Sequence, residues 1–208
     1  VRGDDTYLID SVLETVIEAR SEGNDTIVAG FTYVLSAIQY VDNLTLTGTA
    51  NFNATGNSLA NILRGNSGNN KLDGLAGADT MYGGAGNDIY YVDNINDKAI
   101  ETTDAGLDLV YASVTFNLGG NVENLQLTDT ANVNGTGNAL NNVIWGNAGN
   151  NRLDGGAGVD KLFGGLGDDT YVADNASDKA EDVAGGGIDL VLSSASQILT
   201  AFVENLTL

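Results

Sequence analysis

A nine-residue unit that recurs in tandem constrains the fold of this chain more than any other feature. The best-kept units read Gly-Gly-x-Gly-x-Asp-x-U-x, in which U is an apolar residue. A period of nine matches neither the 3.6-residue helix nor the heptad of a coiled coil. Each unit therefore predicts a glycine-rich turn followed by a three-residue strand. The units begin at Gly56, Gly65, Gly74 and Gly83, and again at Gly137, Gly146, Gly155 and Gly164.

The eighth position of each unit is apolar and is expected to point into a core. Adjacent residues of a strand face opposite sides, so each short strand places one apolar residue inward. Two units then complete one coil of a flattened right-handed spiral. The predicted fold class is all-β: a right-handed parallel β-roll, or β-solenoid, with glycine-rich turns. The expected inward residues are Leu63, Leu72, Met81, Tyr90, Ile144, Leu153, Leu162 and Tyr171.

The nine-residue units are nested in a longer repeat. Residues 43–57 return with few changes as residues 124–138, an offset of 81 residues. We therefore expect residues 1–208 to form a single continuous β-roll, taken from a longer array. Its predicted parts are a partial repeat (1–55), a first unit block (56–100), degenerate strands (101–136), a second unit block (137–181) and a partial repeat (182–208).

The composition narrows the function. The chain has no cysteine and no histidine, which excludes thiol nucleophiles, Ser-His-Asp relays and histidine metal sites. A net charge of −20 disfavours binding to nucleic acid, and no apolar run approaches the ~20 residues of a membrane span. We expect no catalytic activity. With 42% apolar residues the chain has enough to build a core, provided that a cation neutralises its carboxylates.

The sixth position of each unit is Asp or Asn and is the candidate metal ligand. Turns two units apart stack on the same side of the roll, so their sixth-position side chains should lie together. Sites built only from oxygen ligands favour Ca²⁺, and several ions are expected. Two pairs carry two carboxylates: Asp79 with Asp97, and Asp160 with Asp178. Four pairs carry one: Asn61 with Asp79, Asn70 with Asp88, Asn142 with Asp160, and Asn151 with Asp169.

Other roles for these residues stay open at this point. The aspartates could cap their own turns through backbone amides, and the asparagines could form hydrogen-bonded ladders between coils without metal. Four further aspartates could be either ligands or solvated loop residues: Asp93, Asp108, Asp174 and Asp189.

The units at 74–82, 83–91, 155–163 and 164–172 resemble the hemolysin-type (RTX) calcium-binding nonapeptide repeat. The resemblance implies a parallel β-roll with Ca²⁺ between its turns, in a protein that Gram-negative bacteria secrete by type I export. The 81-residue arrangement is similar to arrays in large bacterial surface and secreted proteins. The resemblance also implies backbone carbonyl ligands at Gly74, Ala76, Gly77, Gly83, Ala85, Gly155, Ala157, Gly158, Gly164 and Leu166.

These observations predict a calcium-binding structural module of an extracellular or cell-surface bacterial protein. Calcium would set it into a rigid rod within a surface layer, adhesin or matrix. The alternative is the calcium-dependent secretion and folding tail of an enzyme or toxin that leaves the cell by type I export. Besides calcium, the expected partners are neighbouring repeats of the same protein or further copies of the chain.

Trp145 and Phe163 occupy ninth positions on one side of the predicted roll. They should face outward and stack on each other. The pair serves either local packing between coils or contact with a partner chain or sugar.

Overall fold

The computed structural model describes residues 3–18, 23–35, 40–103 and 106–208. These residues form short β-strands joined by turns, and none of them lies in a helix. The described part of the chain therefore has no helix long and apolar enough to cross a membrane. Two compact units divide the chain, Val1–Asp108 and Leu109–Leu208.

The first unit contains two parallel sheets. Within it, one sheet has the strand order β1-β2-β4-β6-β8-β10 and the other the order β9-β7-β5-β3. These strands are β1 (Thr6–Ile9), β2 (Thr26–Ala29), β3 (Tyr33–Val34), β4 (Asn43–Leu46), β5 (Ala54–Thr55), β6 (Ile62–Arg64), β7 (Lys71–Asp73), β8 (Thr80–Tyr82), β9 (Ile89–Val92) and β10 (Lys98–Ile100).

The second unit repeats this arrangement. One of its sheets has the order β19-β17-β15-β13-β11, and the other has the order β12-β14-β16-β18-β20-β21. The strands are β11 (Leu109–Ala112), β12 (Phe116–Asn117), β13 (Asn124–Leu127), β14 (Gly135–Thr136), β15 (Val143–Trp145), β16 (Arg152–Asp154), β17 (Lys161–Phe163), β18 (Thr170–Ala173), β19 (Lys179–Glu181), β20 (Leu190–Ser193) and β21 (Asn205–Thr207).

In the nine-residue blocks of each compact unit, residues paired on neighbouring strands are two repeats apart along the chain. Leu63 lies beside Met81, and Leu72 lies beside Tyr90 on the opposite sheet. All eight predicted inward side chains are at most 1% exposed, because the strands alternate between core and surface. The all-β parallel β-roll is thereby confirmed. The predicted continuity of one roll over residues 1–208 remains a prediction.

Coils outside the blocks of nine-residue units differ in length. Tyr7 pairs with Ile27, and Tyr171 pairs with Val191, so the strand-to-strand step here is 20 residues. The region expected to hold degenerate strands, residues 101–136, contains β11, β12, β13 and β14. There the step from Val110 to its partner Leu125 is only 15 residues, and both side chains remain buried.

Fifth-position side chains connect the coils on the outside of the roll. The Oδ1 atom of Asn69 accepts the backbone N–H of Asn87 at 3.0 Å, and Oδ1 of Asn87 accepts that of Leu107 at 3.0 Å. In the second unit, Asp168 replaces the second asparagine and accepts the N–H of Ile188 at 2.9 Å. Amide and carboxylate are therefore interchangeable at this exposed position.

Candidate metal centre

The sixth-position side chains all lie buried in the turns of the roll. None of them is more than 6% exposed, although each is polar or charged. Burial of such groups costs free energy unless they are hydrogen-bonded or neutralised. The residues are Asn61, Asn70, Asp79, Asp88, Asp97, Asn142, Asn151, Asp160, Asp169 and Asp178.

One carboxylate oxygen of each aspartate is used in a ladder between coils. Oδ1 of Asp79 accepts the backbone N–H of Asn61 at 2.6 Å, and Oδ1 of Asp97 accepts that of Asp79 at 2.9 Å. On the other side of the roll, Oδ1 of Asp88 accepts the N–H of Asn70 at 2.7 Å. The structure thus brings the predicted partners together. In the second unit the corresponding bonds join Asn142 to Asp160, Asp160 to Asp178, and Asn151 to Asp169.

The second carboxylate oxygen of these aspartates differs from the first in its hydrogen bonding. Within the described part of the chain, Oδ2 of Asp79 and Oδ2 of Asp88 are buried without a hydrogen-bond partner, and so are those of Asp160 and Asp169. Burial raises the pKa of Asp79 to about 7 and that of Asp88 to about 6, although an N–H bond to each carboxylate acts in the opposite direction. A buried oxygen that lacks a donor is where a hard cation would fit.

The asparagines are satisfied by protein groups. Oδ1 of Asn61 accepts the N–H of Asn57 at 2.7 Å, and its Nδ2 donates to the carbonyl of Asp42 at 3.0 Å. Asn70 makes the equivalent bonds to the N–H of Asn66 and the carbonyl of Phe52. Asn142 and Asn151 repeat the pattern in the second unit. The amide therefore links successive coils by hydrogen bonds alone.

The second position of each unit explains the difference between the two kinds of turn. In the units with a sixth-position Asn, the second residue is also Asn, and its N–H points to the sixth side chain. In the glycine-rich units with a sixth-position Asp, the second residue has a positive φ: 59° at Leu75 and 109° at Gly84. The N–H of Leu75 is instead bonded to Asp73 at 3.0 Å, so it does not reach Asp79. We call these two types the Asn turns and the Asp turns.

Replacement of Gly84 by alanine tests the backbone of the Asp turns. A φ of +109° is rarely adopted by residues with a Cβ, and the added carbon would overlap with the carbonyl oxygen of Asn66. We expect Gly84→Ala to destabilise the protein by about 2 kcal/mol or more. Gly120→Ala is the matched control, since its Cβ would meet nothing within 4 Å. Thermal unfolding measures both variants, and equal midpoints would contradict the strain assigned to Gly84.

Asp97 and Asp178 lie in turns that lack glycine, and their second oxygens have hydrogen-bond donors. Oδ2 of Asp97 accepts the N–H groups of Asp93 at 3.2 Å and Asn94 at 3.0 Å. Oδ2 of Asp178 accepts the N–H of Asn175 at 2.9 Å. Each carboxylate therefore caps its own turn while it also joins the ladder between coils.

The predicted carbonyl ligands lie in the glycine-rich turns, where successive coils pack closely against one another. The carbonyl oxygens of Gly74 and Gly83 lie against Gly56 and Gly65 of the preceding coil, and those of Gly155 and Gly164 lie against Gly137 and Gly146. Gly77 and Gly158 contact the carbonyls of Leu59 and Leu140. The third-position residues Ala76, Ala85, Ala157 and Leu166 are exposed. Their role as ligands remains a prediction.

The sequence left the roles of four aspartates open, and the structure separates them. Asp108 and Asp189 are fully buried, and their Oδ1 atoms accept the N–H groups of Asp88 at 2.7 Å and Asp169 at 2.8 Å. Asp93 and Asp174 are exposed. The sequence signal that distinguishes them is the pattern Gly-x-Asp-x-U around Asp108 and Asp189, which keeps positions four to eight of the unit and also occurs around Asp25.

The ninth-position aromatic residues face outward and stack, as predicted. The rings of Trp145 and Phe163 are 5.9 Å apart between centroids and inclined by 10°. At the same positions of the first compact unit, the guanidinium of Arg64 lies 4.2 Å from the centre of the Tyr82 ring. Both arrangements pack neighbouring coils, and contact with a partner remains a prediction.

Comparison with known proteins supports the metal centre. The family model of the RTX calcium-binding nonapeptide repeat matches in four copies, at residues 55–90 and 136–171. A segment of 64 residues is 44% identical to the endo-1,3-1,4-beta-glycanase ExsH of Rhizobium meliloti (strain 1021). That match covers 31% of this chain and only 13% of the glycanase.

Proposed function

The chain carries RTX calcium-binding nonapeptide repeats, and from this premise we propose that it is a calcium-dependent structural module of an extracellular bacterial protein. The observation that carries the proposal is the set of buried Oδ2 atoms without a hydrogen-bond donor, within the described residues, at Asp79, Asp88, Asp160 and Asp169. These aspartates would hold the ions. Bound Ca²⁺ would neutralise the carboxylates and bridge successive turns.

Different groups of the turns have different roles in binding. The Oδ1 atoms stay engaged with backbone N–H groups, which fix the orientation of each carboxylate. Positive φ at the second position keeps the competing N–H away from Oδ2. The Asn turns hold the neighbouring coils by hydrogen bonds, and we assign them no metal.

The module would become rigid where calcium is abundant. Without the ions, the net charge of −20 and the 28 glycines oppose compaction. Extracellular calcium modules bind Ca²⁺ with dissociation constants of roughly 10⁻⁴–10⁻³ M. The chain would therefore remain flexible in the cytosol and become rigid outside the cell. This behaviour suits a surface layer, an adhesin or a matrix protein. The turns account for the buried carboxylates, so we propose no catalytic role.

The similarity to a glycanase favours one alternative, the calcium-dependent secretion and folding tail of an exported enzyme. The same turns and the same ions would serve either protein. The full-length coding sequence distinguishes the two: a catalytic domain supports the tail, and a long run of 81-residue repeats supports the structural module.

Titration of Ca²⁺ into chelator-treated protein tests the shared calcium mechanism. Circular dichroism at neutral pH is expected to change from a largely unfolded spectrum to a β-spectrum as Ca²⁺ is added, because binding free energy becomes folding free energy. Mg²⁺ at the same ionic strength is the control. A full β-spectrum in the presence of chelator at neutral pH would overturn the coupling.

A further inference from the structure

Three carboxylates from separate turns meet at the end of the first block of units. Asp88 precedes β9, Glu101 follows β10 and Asp108 precedes β11. One oxygen from each lies within 4.8 Å of the other two, and all three side chains are buried. We call Asp88, Glu101 and Asp108 the three-carboxylate cluster. Glu101 lies outside the nine-residue pattern, so the repeat motif does not assign it a role.

The geometry of the cluster indicates a binding site. Asp88 is 1% exposed, and within the described part of the chain its Oδ2 has no hydrogen-bond partner. A Cβ on Gly83 would overlap with this Oδ2, with Oε1 of Glu101 and with the hydroxyl of Tyr90, so glycine keeps space beside three converging oxygens. The hydroxyl of Tyr90 donates to Glu101. Both glutamate and tyrosine are thereby held beside the unpartnered oxygen of Asp88.

Among the described residues, the sequence spacing of the cluster recurs at two further places, and at one of them the carboxylate oxygens also lie together. Asp5, Glu18 and Asp25 have the same sequence spacing of 13 and 7 residues, and their oxygens also lie within 4.8 Å of one another. Tyr7 donates to Glu18 as Tyr90 does to Glu101. In the third copy Asp169, Asp182 and Asp189 keep the spacing. There the Oδ1 of Asp182 accepts the N–H of Gly165 at 3.0 Å.

We propose that the three-carboxylate cluster is a second class of divalent cation site, which takes Ca²⁺ through Asp88, Glu101 and Asp108. It rests on the proposed calcium function and extends it by adding Glu101, a residue outside the nonapeptide units, to the turn carboxylates of Asp88 and Asp108. Oxygens on opposite sides of a Ca²⁺ ion are about 4.6–5.2 Å apart, which suits the observed spread. Three carboxylates give this site more ligand charge than a single-carboxylate turn, and ligand charge raises calcium affinity. The site binds more tightly than the other turns.

Glu101→Gln tests the cluster in the intact 208-residue chain. Glutamine keeps an oxygen for the Tyr90 hydroxyl but removes one ligand charge. By calorimetric titration with Ca²⁺, we expect the variant to lose one tight site or to bind there at least about tenfold more weakly. Glu101→Asp should retain the site, because Asp182 occupies this position in the third copy. The charge control is Asp129→Asn, an exposed residue with a φ of 61°, which asparagine tolerates.

Terbium luminescence gives a measurement that leaves the carboxylates intact. Tyrosine excitation sensitises a bound Tb³⁺ ion nearby, and each cluster has its own tyrosine. Tyr90→Phe should therefore remove one cluster's share of the tyrosine-sensitised emission and leave the number of bound ions unchanged.

The outcomes separate the two proposals. If wild-type protein binds no Ca²⁺, the proposed calcium function fails together with the cluster. If it binds Ca²⁺ and Glu101→Gln has the same number of sites and the same affinities, only the cluster is wrong. If Glu101→Gln does not fold, unchanged emission from Tyr90→Phe overturns the proposal, and a reduced emission supports it.

Discussion

Calcium-free protein is expected to lose stability as the pH rises from 5 to 8. The buried carboxylates of the Asp turns, together with Glu101, are responsible for the effect. Burial raises the pKa of Asp79 and of Glu101 to about 7, and that of Asp88, Asp160 and Asp169 to about 6. In the unfolded chain the same groups titrate near 4. The folded state therefore binds more protons than the unfolded state between these values.

The sign follows from this difference in bound protons. A carboxylate whose folded pKa is raised favours folding when it is protonated, so its destabilising effect grows as pH rises from about 4 to about 7 and is then complete. Each pKa unit corresponds to about 1.4 kcal/mol, which amounts to roughly 3 kcal/mol per group. Because domains are typically stable by only about 5–15 kcal/mol, a few such charges suffice to unfold a unit.

Thermal unfolding in chelator at pH 5 and pH 8 measures the effect. The lower value stays above the sequence pI of about 4.1, where the chain would precipitate. Calcium at pH 8 should restore the midpoint. Added salt is the control, because it screens repulsion between surface charges and has little effect on buried ones. A midpoint that is independent of pH in chelator would mean that the buried carboxylates do not limit folding.

The nine-residue register predicted the core because one rule decides it. Every eighth position is inward, as Leu63, Met81 and Tyr90 show, since strand alternation and the 18-residue coil leave no other choice. The same register placed the sixth positions in buried ladders. The nine-residue register did not place Asp108, because its coil is 20 residues long, although the local Gly-x-Asp-x-U pattern is intact.

It was harder to predict which sixth-position side chains have all their hydrogen bonds from the protein, because this depends on the backbone conformation of each turn. The sequence pairs Asn61 with Asp79 as ligands, whereas in the structure the Asn61 amide is bonded to Asn57 and Asp42. What distinguishes the turns is the direction of one N–H at the second position. Leu75 adopts a φ of 59°, which a leucine in isolation gives no reason to expect. Glu101 was missed because it belongs to no repeat unit.

Conversion of an Asp turn into an Asn turn should remove its need for calcium. In the Asn turns the second-position side chain also bridges the coils, since Nδ2 of Asn57 donates to the carbonyl of Val41 at 2.8 Å. The double variant Leu75→Asn/Asp79→Asn carries both asparagines that the chain already uses at 57 and 61. It replaces a buried carboxylate by an amide with protein partners.

We expect the double variant to retain more β-structure than wild type in chelator at pH 8, as measured by circular dichroism. Removal of a charge whose pKa is raised to about 7 should contribute on the order of 3 kcal/mol to the free energy of unfolding. One calcium site should also disappear from the titration. Asp79→Asn alone should gain less, because the N–H of Leu75 remains on Asp73 and does not reach the new amide.

Asp168→Asn is the matched control for this experiment. It removes one carboxylate at an exposed fifth position where the first compact unit already has Asn87, so it should change neither the β-signal in chelator nor the number of ions. If the control stabilises the protein as much as the double variant does, the effect is general relief of negative charge. If the double variant keeps every calcium site, Asp79 is not a ligand, and the metal centre must be assigned to other oxygens of the turn.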